Sequence, residues 1–143
     1  MLFGDNRDQL RLMYVETWRK HREGLPLQPL EAQLADVIAV HPEYHALLAD
    51  PEASQTAEFG PDSGTGNPFL HMGMHMALRE QVATDRPAGI AALHRRLSQK
   101  LNDPHAAEHA MMECLGAALW NAQRAGVEPD EGEYLGCLRS LIG

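Results

Sequence analysis

Prolines that directly follow a helix-capping residue divide this chain into helical segments. Asn67-Pro68 and Asp103-Pro104 each place a good N-cap residue immediately before a proline. Proline suits the first helical position because its fixed φ is already helical and its missing N–H would have no partner there. Apolar residues recur at helical spacing after both signals, and the alternation typical of strands is nearly absent. The chain is therefore predicted to be all-α.

We predict a single domain over residues 1–143, built as a helical bundle of five to six helices. The longest predicted helices run from Asp5 to near Gly24, from Pro68 to about Thr84, and from Pro104 to Ala125. Residues 51–66, "PEASQTAEFGPDSGTG", form a long polar stretch rich in glycine and proline. Such a stretch is predicted to be a long polar loop, either mobile or folded over a site.

The charge of the chain argues against two classes of function. The formal net charge is −8, whereas proteins that bind nucleic acid or anionic membranes present a basic face. No apolar run approaches the roughly 20 residues that a membrane-spanning helix needs. We therefore expect no nucleic-acid partner and no membrane association.

The two cysteines, Cys114 and Cys137, stand singly in helical patterns and form no CxxC motif. Free cysteine usually packs as a small apolar residue, and thiols stay reduced in the cytoplasm. The N-terminus also lacks the basic segment and apolar stretch of a secretion signal. These features predict reduced, core-filling thiols in a cytoplasmic protein.

The segment "NPFLHMGMHMALREQ" places two histidines on one side of a predicted helix. At about 100° per residue, His71, His75, Leu78 and Val82 fall in one narrow stripe, which is the spacing of a buried seam. Histidines four residues apart bring their rings close enough to contact one ion. His71 and His75 are therefore predicted to be largely buried and to form the centre of a metal site.

Two further histidine pairs share this spacing of four: "HPEYH" contains His41 and His45, and "HAAEH" contains His105 and His109. With eight histidines in the chain, random placement would give roughly 0.4 such pairs. Pro42 predicts a helix break at His41, which makes the direction of that side chain uncertain.

These pairs predict a metal site in the bundle interior. Glu113 lies on the same stripe as His105 and His109 and is the best carboxylate candidate. Imidazole with a carboxylate suits a divalent metal ion, with zinc or iron expected first. Whether His41 and His105 join the site stays open, and His21 and His94 are expected to be solvated. The predicted ligands are His45, His71, His75, His109 and Glu113.

Two functional hypotheses follow from this pattern. The first is a metal-binding helical protein, which would be a small metalloenzyme if the ion keeps an open position. The alternative is a metal-free protein-interaction module whose histidines are hydrogen-bonded core residues. A protein partner or a homo-oligomer is compatible with both. The sequence indicates neither a substrate nor a reaction.

Four stretches make the chain similar to a known family: "LEAQLADVIAVHPEYH", "NPFLHMGMHMALREQVATDRPAGI", "AEHAMMECLGAALWNAQRAG" and "PDEGEYL". Together they resemble the bacterial family catalogued as domain of unknown function 1841, over about Arg7 to Leu141. The resemblance implies a small, cytoplasmic, all-helical protein with no established activity. It implies no catalytic residues, so the metal hypothesis depends on the histidine pattern alone.

Overall fold

The structure, a computed structural model, describes residues 2–59 and 66–143, with side chains from residue 7 onward. Within these residues the chain forms α-helices, one short 3-10 turn (Pro42–Tyr44) and no strand, which confirms the all-α prediction. No described helix is long and apolar enough to cross a membrane. The helices are α1 (Leu2–Glu23), α2 (Pro29–Ala39), α3 (His45–Leu48), α4 (Pro51–Thr56), α5 (Pro68–Thr84), α6 (Ile90–Leu101), α7 (Pro104–Ala125) and α8 (Glu131–Ile142).

The cap-and-proline signals mark helix starts as predicted. The Asn67 side chain accepts hydrogen bonds from the backbone N–H groups of Phe69 and Leu70, at 2.9 and 3.3 Å. The Asp103 side chain accepts one from the N–H of His105 at 2.9 Å. Each cap satisfies a backbone donor that has no partner within its helix.

The predicted count of five to six helices is too low, because the described residues form eight α-helices and α4 lies within the predicted polar loop. The Asp50 side chain accepts a hydrogen bond from the backbone N–H of Ala53 at 3.1 Å and caps the start of α4. The first six residues of the predicted 51–66 loop are therefore helical. Residues 60–65 of that loop lie outside the described part of the chain.

The chain divides into two compact units, residues 1–73 and 74–143, and α5 begins in the first and continues into the second. The single domain over 1–143 stays a prediction. In the first unit, α1 packs against α2, α3 and α4. Its buried apolar side chains are Tyr14, Val15, Trp18, Leu34, Val37, Ile38, Leu48, Phe69 and Met72.

The second unit contains α6, α7 and α8, packed pairwise against one another. Gly126 ends α7 with a φ of 68°, a left-handed conformation that glycine adopts without steric cost. The Asp130 side chain then caps α8 by accepting a hydrogen bond from the N–H of Glu133 at 3.0 Å. The largest buried apolar side chains of this core are Leu78, Ile90, Leu93, Leu97, Met111, Met112, Leu115, Tyr134 and Leu138.

The prediction of reduced cysteines is wrong, because Cys114 and Cys137 form a disulfide. Cys114 lies on α7 and Cys137 on α8, and the packing of these two helices brings their Cα atoms to 5.7 Å. Two isolated cysteines 23 residues apart carry no local motif, so only the helix packing pairs them. The predicted cytoplasmic location depended in part on reduced thiols and stays a prediction.

Reduction of the Cys114–Cys137 disulfide is expected to destabilise the protein. A bridge that closes a loop of this length contributes up to about 3 kcal/mol by restricting the unfolded chain. The melting temperature should fall when a reductant is added. The Cys114→Ser/Cys137→Ser variant should melt at the lower temperature whether or not reductant is present. Two titratable thiols in untreated, denatured wild-type protein would contradict the bridge.

The three tyrosines are expected to ionise at unusually high pH. Burial raises the pKa of Tyr14 to about 12 and that of Tyr134 to about 12. Burial, with the charge of Glu43, also raises the pKa of Tyr44. The unfolded chain releases its phenolic protons first, near pH 10, so stability should fall as the pH rises from about 10 to about 12. Absorbance at 295 nm checks this, and a native titration that superimposes on that of the denatured chain would contradict it.

Candidate metal centre

Three histidines of the second unit form a compact cluster. His105 and His109 lie one turn apart on α7, with ring centroids 4.3 Å from each other. His75, on α5, has its ring centroid 4.9 Å from that of His105 and 4.8 Å from that of His109. Two helices therefore supply the cluster, and the spacing of four on α7 brings its two rings together.

The ring nitrogens of these histidines lie close to metal-binding geometry. One nitrogen from each of His75, His105 and His109 lies within 4.8 Å of the others. Two nitrogens bound to the same zinc ion at about 2.0–2.1 Å are roughly 3.3 Å apart. The side chains would therefore have to turn towards one another before all three nitrogens could bind one ion.

The cluster runs from the interior to the surface. His75 is fully buried, His105 is half-buried and His109 is exposed. An ion held by the three rings would have one side in the packed core and another open to solvent. Such exposure lets water or a small molecule reach the ion.

A buried carboxylate holds the His75 ring. The Oε1 atom of Glu108 accepts a hydrogen bond from Nδ1 of His75 at 2.7 Å. Because Nδ1 carries the proton of this bond, Nε2 is the nitrogen that has a lone pair in the neutral ring. A carboxylate bound to the second nitrogen of a histidine is the usual way in which proteins orient metal-binding imidazoles.

Arg79 completes the network around Glu108. Its Nε donates to the two carboxylate oxygens, at 3.2 and 3.3 Å. Burial by itself raises the pKa of Glu108, but the hydrogen bond from His75 and the charge of Arg79 together outweigh it, so the pKa is lowered. Glu108 is therefore ionised at neutral pH although it is only 7% exposed.

The structure brings two of the five predicted ligands, His75 and His109, into this cluster. Of the predicted pair on α5, His75 is buried as expected, whereas His71 is only half-buried. His71 belongs to the first unit, where its ring centroid lies 5.1 Å from that of His41.

The other two predicted ligands have different surroundings. His45 lies in the first unit, where its Nε2 donates to the backbone carbonyl of Ile38 at 2.8 Å and its ring centroid is 4.4 Å from that of Trp18. Glu113 is exposed to solvent. His41, which was left open, is buried, and its Nδ1 donates to the carbonyl of Val37 at 2.8 Å.

Glu108 was not predicted from the sequence as part of the site, and whether His105 belongs to the site was left undecided. A signal for Glu108 was present, because positions 108, 111, 112 and 115 have the spacing of one buried helix face. Met111, Met112 and Leu115 fill the other three positions and are buried. An acidic residue in an apolar seam needs a cationic or hydrogen-bonding partner, which indicates a buried polar network.

Replacing Glu108 with glutamine is expected to lower the free energy of unfolding at neutral pH by about 1.5–3 kcal/mol, the usual contribution of a buried hydrogen bond to a charged group. Because the pKa of Glu108 is lowered from its ordinary 4.5, its contribution is present above that pH and is lost as the pH falls below it. The difference between variant and wild type should therefore shrink in acid.

Guanidinium denaturation at several pH values measures this difference. Glu113→Gln, on the same helix but exposed, is the matched control and should change stability by less than about 0.5 kcal/mol. Equal effects of the two substitutions would contradict a role for Glu108 in the core network.

The comparisons with known proteins give a family and no activity. The family model for Domain of unknown function (DUF1841) matches residues 6–140, nearly the whole chain. No curated protein and no solved structure matched the chain. The match covers the residues of the histidine cluster and of its carboxylate. The chain therefore belongs to the DUF1841 family.

Proposed function

We propose that His75, His105 and His109 bind one divalent metal ion, and that the chain is a metal-binding helical protein. The observation that carries this proposal is the convergence of one nitrogen from each ring to within 4.8 Å. The hydrogen bond from His75 to Glu108 supports it, because a carboxylate on the second ring nitrogen orients a histidine that binds a metal.

The ligand set favours zinc over iron. Imidazole binds both metals, but iron sites of this kind commonly add a carboxylate ligand. Glu108 already accepts hydrogen bonds from His75 and Arg79, so the set is three nitrogens. A four-coordinate zinc ion with three protein ligands keeps one position for water, which is the arrangement of hydrolytic zinc enzymes.

The competing hypothesis is a metal-free interaction module with hydrogen-bonded core histidines. The contact between His75 and Glu108 also supports that hypothesis, because a buried histidine needs a hydrogen-bond partner in the core. The two hypotheses differ in whether the three ring nitrogens bind an ion, which direct metal binding decides.

Zinc binding to untagged, chelator-treated protein tests the proposal. Calorimetry should show one zinc ion per chain, with an affinity that falls as the pH drops, because protons compete for the imidazole nitrogens. His109→Ala removes an exposed ligand and should abolish high-affinity binding without unfolding the protein. Glu108→Gln should weaken binding about 10- to 100-fold, as the loss of an orienting partner does.

His21→Ala is the matched control, since His21 is an exposed histidine of the first unit. This variant should bind zinc like the wild type. Bound zinc should also raise the melting temperature of the wild type and not that of His109→Ala, because the ion stabilises only a folded site. Absence of zinc binding, or equal affinity in the wild type and His109→Ala, would favour the metal-free module.

A further inference from the structure

A second candidate site lies in the first unit and is independent of the histidine cluster. An open cavity of about 490 Å³ is lined by α1, by the start of α5 and by the segment that follows α4. This volume falls in the range of sites that hold small organic molecules. Its lining combines two arginines with aromatic and aliphatic side chains, among them Arg7, Arg11, Phe59, Phe69 and Leu70.

Arg11 places a buried positive charge at this cavity. It is only 4% exposed, and its Nη1 donates to the backbone carbonyls of Ser54 and Ala57 at 3.0 and 2.8 Å. These two acceptors are neutral, and no described carboxylate side chain forms a direct ion pair with Arg11. Burial and the charge of Arg7 lower the pKa of Arg11, whereas the charges of Glu58 and Asp8 raise it. An anion in the cavity would add to this partial compensation of the buried charge.

The Arg7 side chain provides a second cation at the same cavity. Its Nη2 lies 3.8 Å from Oε1 of Glu58, and the Glu58 side chain is 86% exposed. An exposed ion pair at this distance contributes little and is readily exchanged for another carboxylate. A ligand anion can therefore compete with Glu58 for Arg7.

Apart from Glu58 and Asn67, the lining around these cations is mostly aromatic and aliphatic. The guanidinium carbon of Arg11 lies 4.8 Å from the ring centroid of Phe69 and 5.6 Å from that of Phe59. The two phenyl rings are 6.3 Å apart, centroid to centroid. Leu70 is 62% exposed, although it lines the cavity. A ligand that fits has an apolar, preferably aromatic, body and one anionic group.

We propose that this cavity binds a small aromatic carboxylate, with the anion at Arg7 and Arg11 and the ring against Phe59, Phe69 and Leu70. The cavity is too small for a macromolecule, and the net charge of −8 argues against nucleic acid as the source of the anion. The guanidinium groups would bind the ligand's carboxylate, and the phenyl rings would pack against the ligand's aromatic ring.

Titration of the full-length, ¹⁵N-labelled protein with 2-naphthoate tests this proposal by NMR. The neutral amide 2-naphthamide is the matched ligand, with the same ring and no charge. Naphthoate should bind at least about tenfold more tightly, which is the usual effect of a charge-assisted hydrogen bond. The amide signals that move should include those of Leu10, Phe69 and Leu70.

Two surface variants test the placement without disturbing the core. Leu70→Glu puts a negative charge into the lining and should weaken naphthoate binding at least about tenfold. Leu12→Glu is the matched control, because Leu12 is 50% exposed on α1 and does not line the cavity. Arg7→Gln should weaken naphthoate and leave naphthamide unchanged. Equal affinity for the two ligands, equal effects of Leu70→Glu and Leu12→Glu, or no binding at all would overturn the proposal.

Discussion

The hydrogen bond between Nδ1 of His75 and the carboxylate of Glu108 joins α5 to α7 inside the second unit. Glu108 remains ionised there because His75 and Arg79 both donate to it. Removing either donor would leave part of a buried negative charge without compensation, which is far more costly than losing an exposed contact. The position of the His75 ring, and hence its distance from the two histidine rings of α7, depends on this bond.

The cluster itself combines local helix geometry with tertiary packing. The spacing of four on α7 brings the rings of His105 and His109 to 4.3 Å without help from another helix. The third ring comes from α5 and is placed by its bond to Glu108, which also lies on α7. One helix thus supplies two candidate ligands and the carboxylate that orients the third. This arrangement supports the zinc proposal, because it prepares the rings before an ion binds.

The first unit accommodates a buried charge in a different way. The Arg11 guanidinium donates to backbone carbonyls and lies against phenyl rings, without a direct ion pair to a described carboxylate. Carbonyl oxygens and aromatic faces stabilise a cation without neutralising it. The same interactions hold α1 against the end of α4 and place the Arg11 charge at a cavity that Arg7 and Glu58 also line. In the second unit, by contrast, the Glu108 network is internally paired and the Cys114–Cys137 disulfide ties α7 to α8.

The sequence by itself determined the all-α class and the starts of two long helices. Capping residues and prolines act within one turn, so the starts at Pro68 and Pro104 could be predicted, as could the burial of His75. Tertiary structure alone decided which faces meet. It placed Glu108, rather than Glu113, in hydrogen-bond contact with the His75 ring. It also placed His45 beside Trp18 and paired the two cysteines. The physical reason is that helix periodicity fixes directions around one axis, whereas the partner across a helix interface depends on side-chain packing between segments distant in sequence.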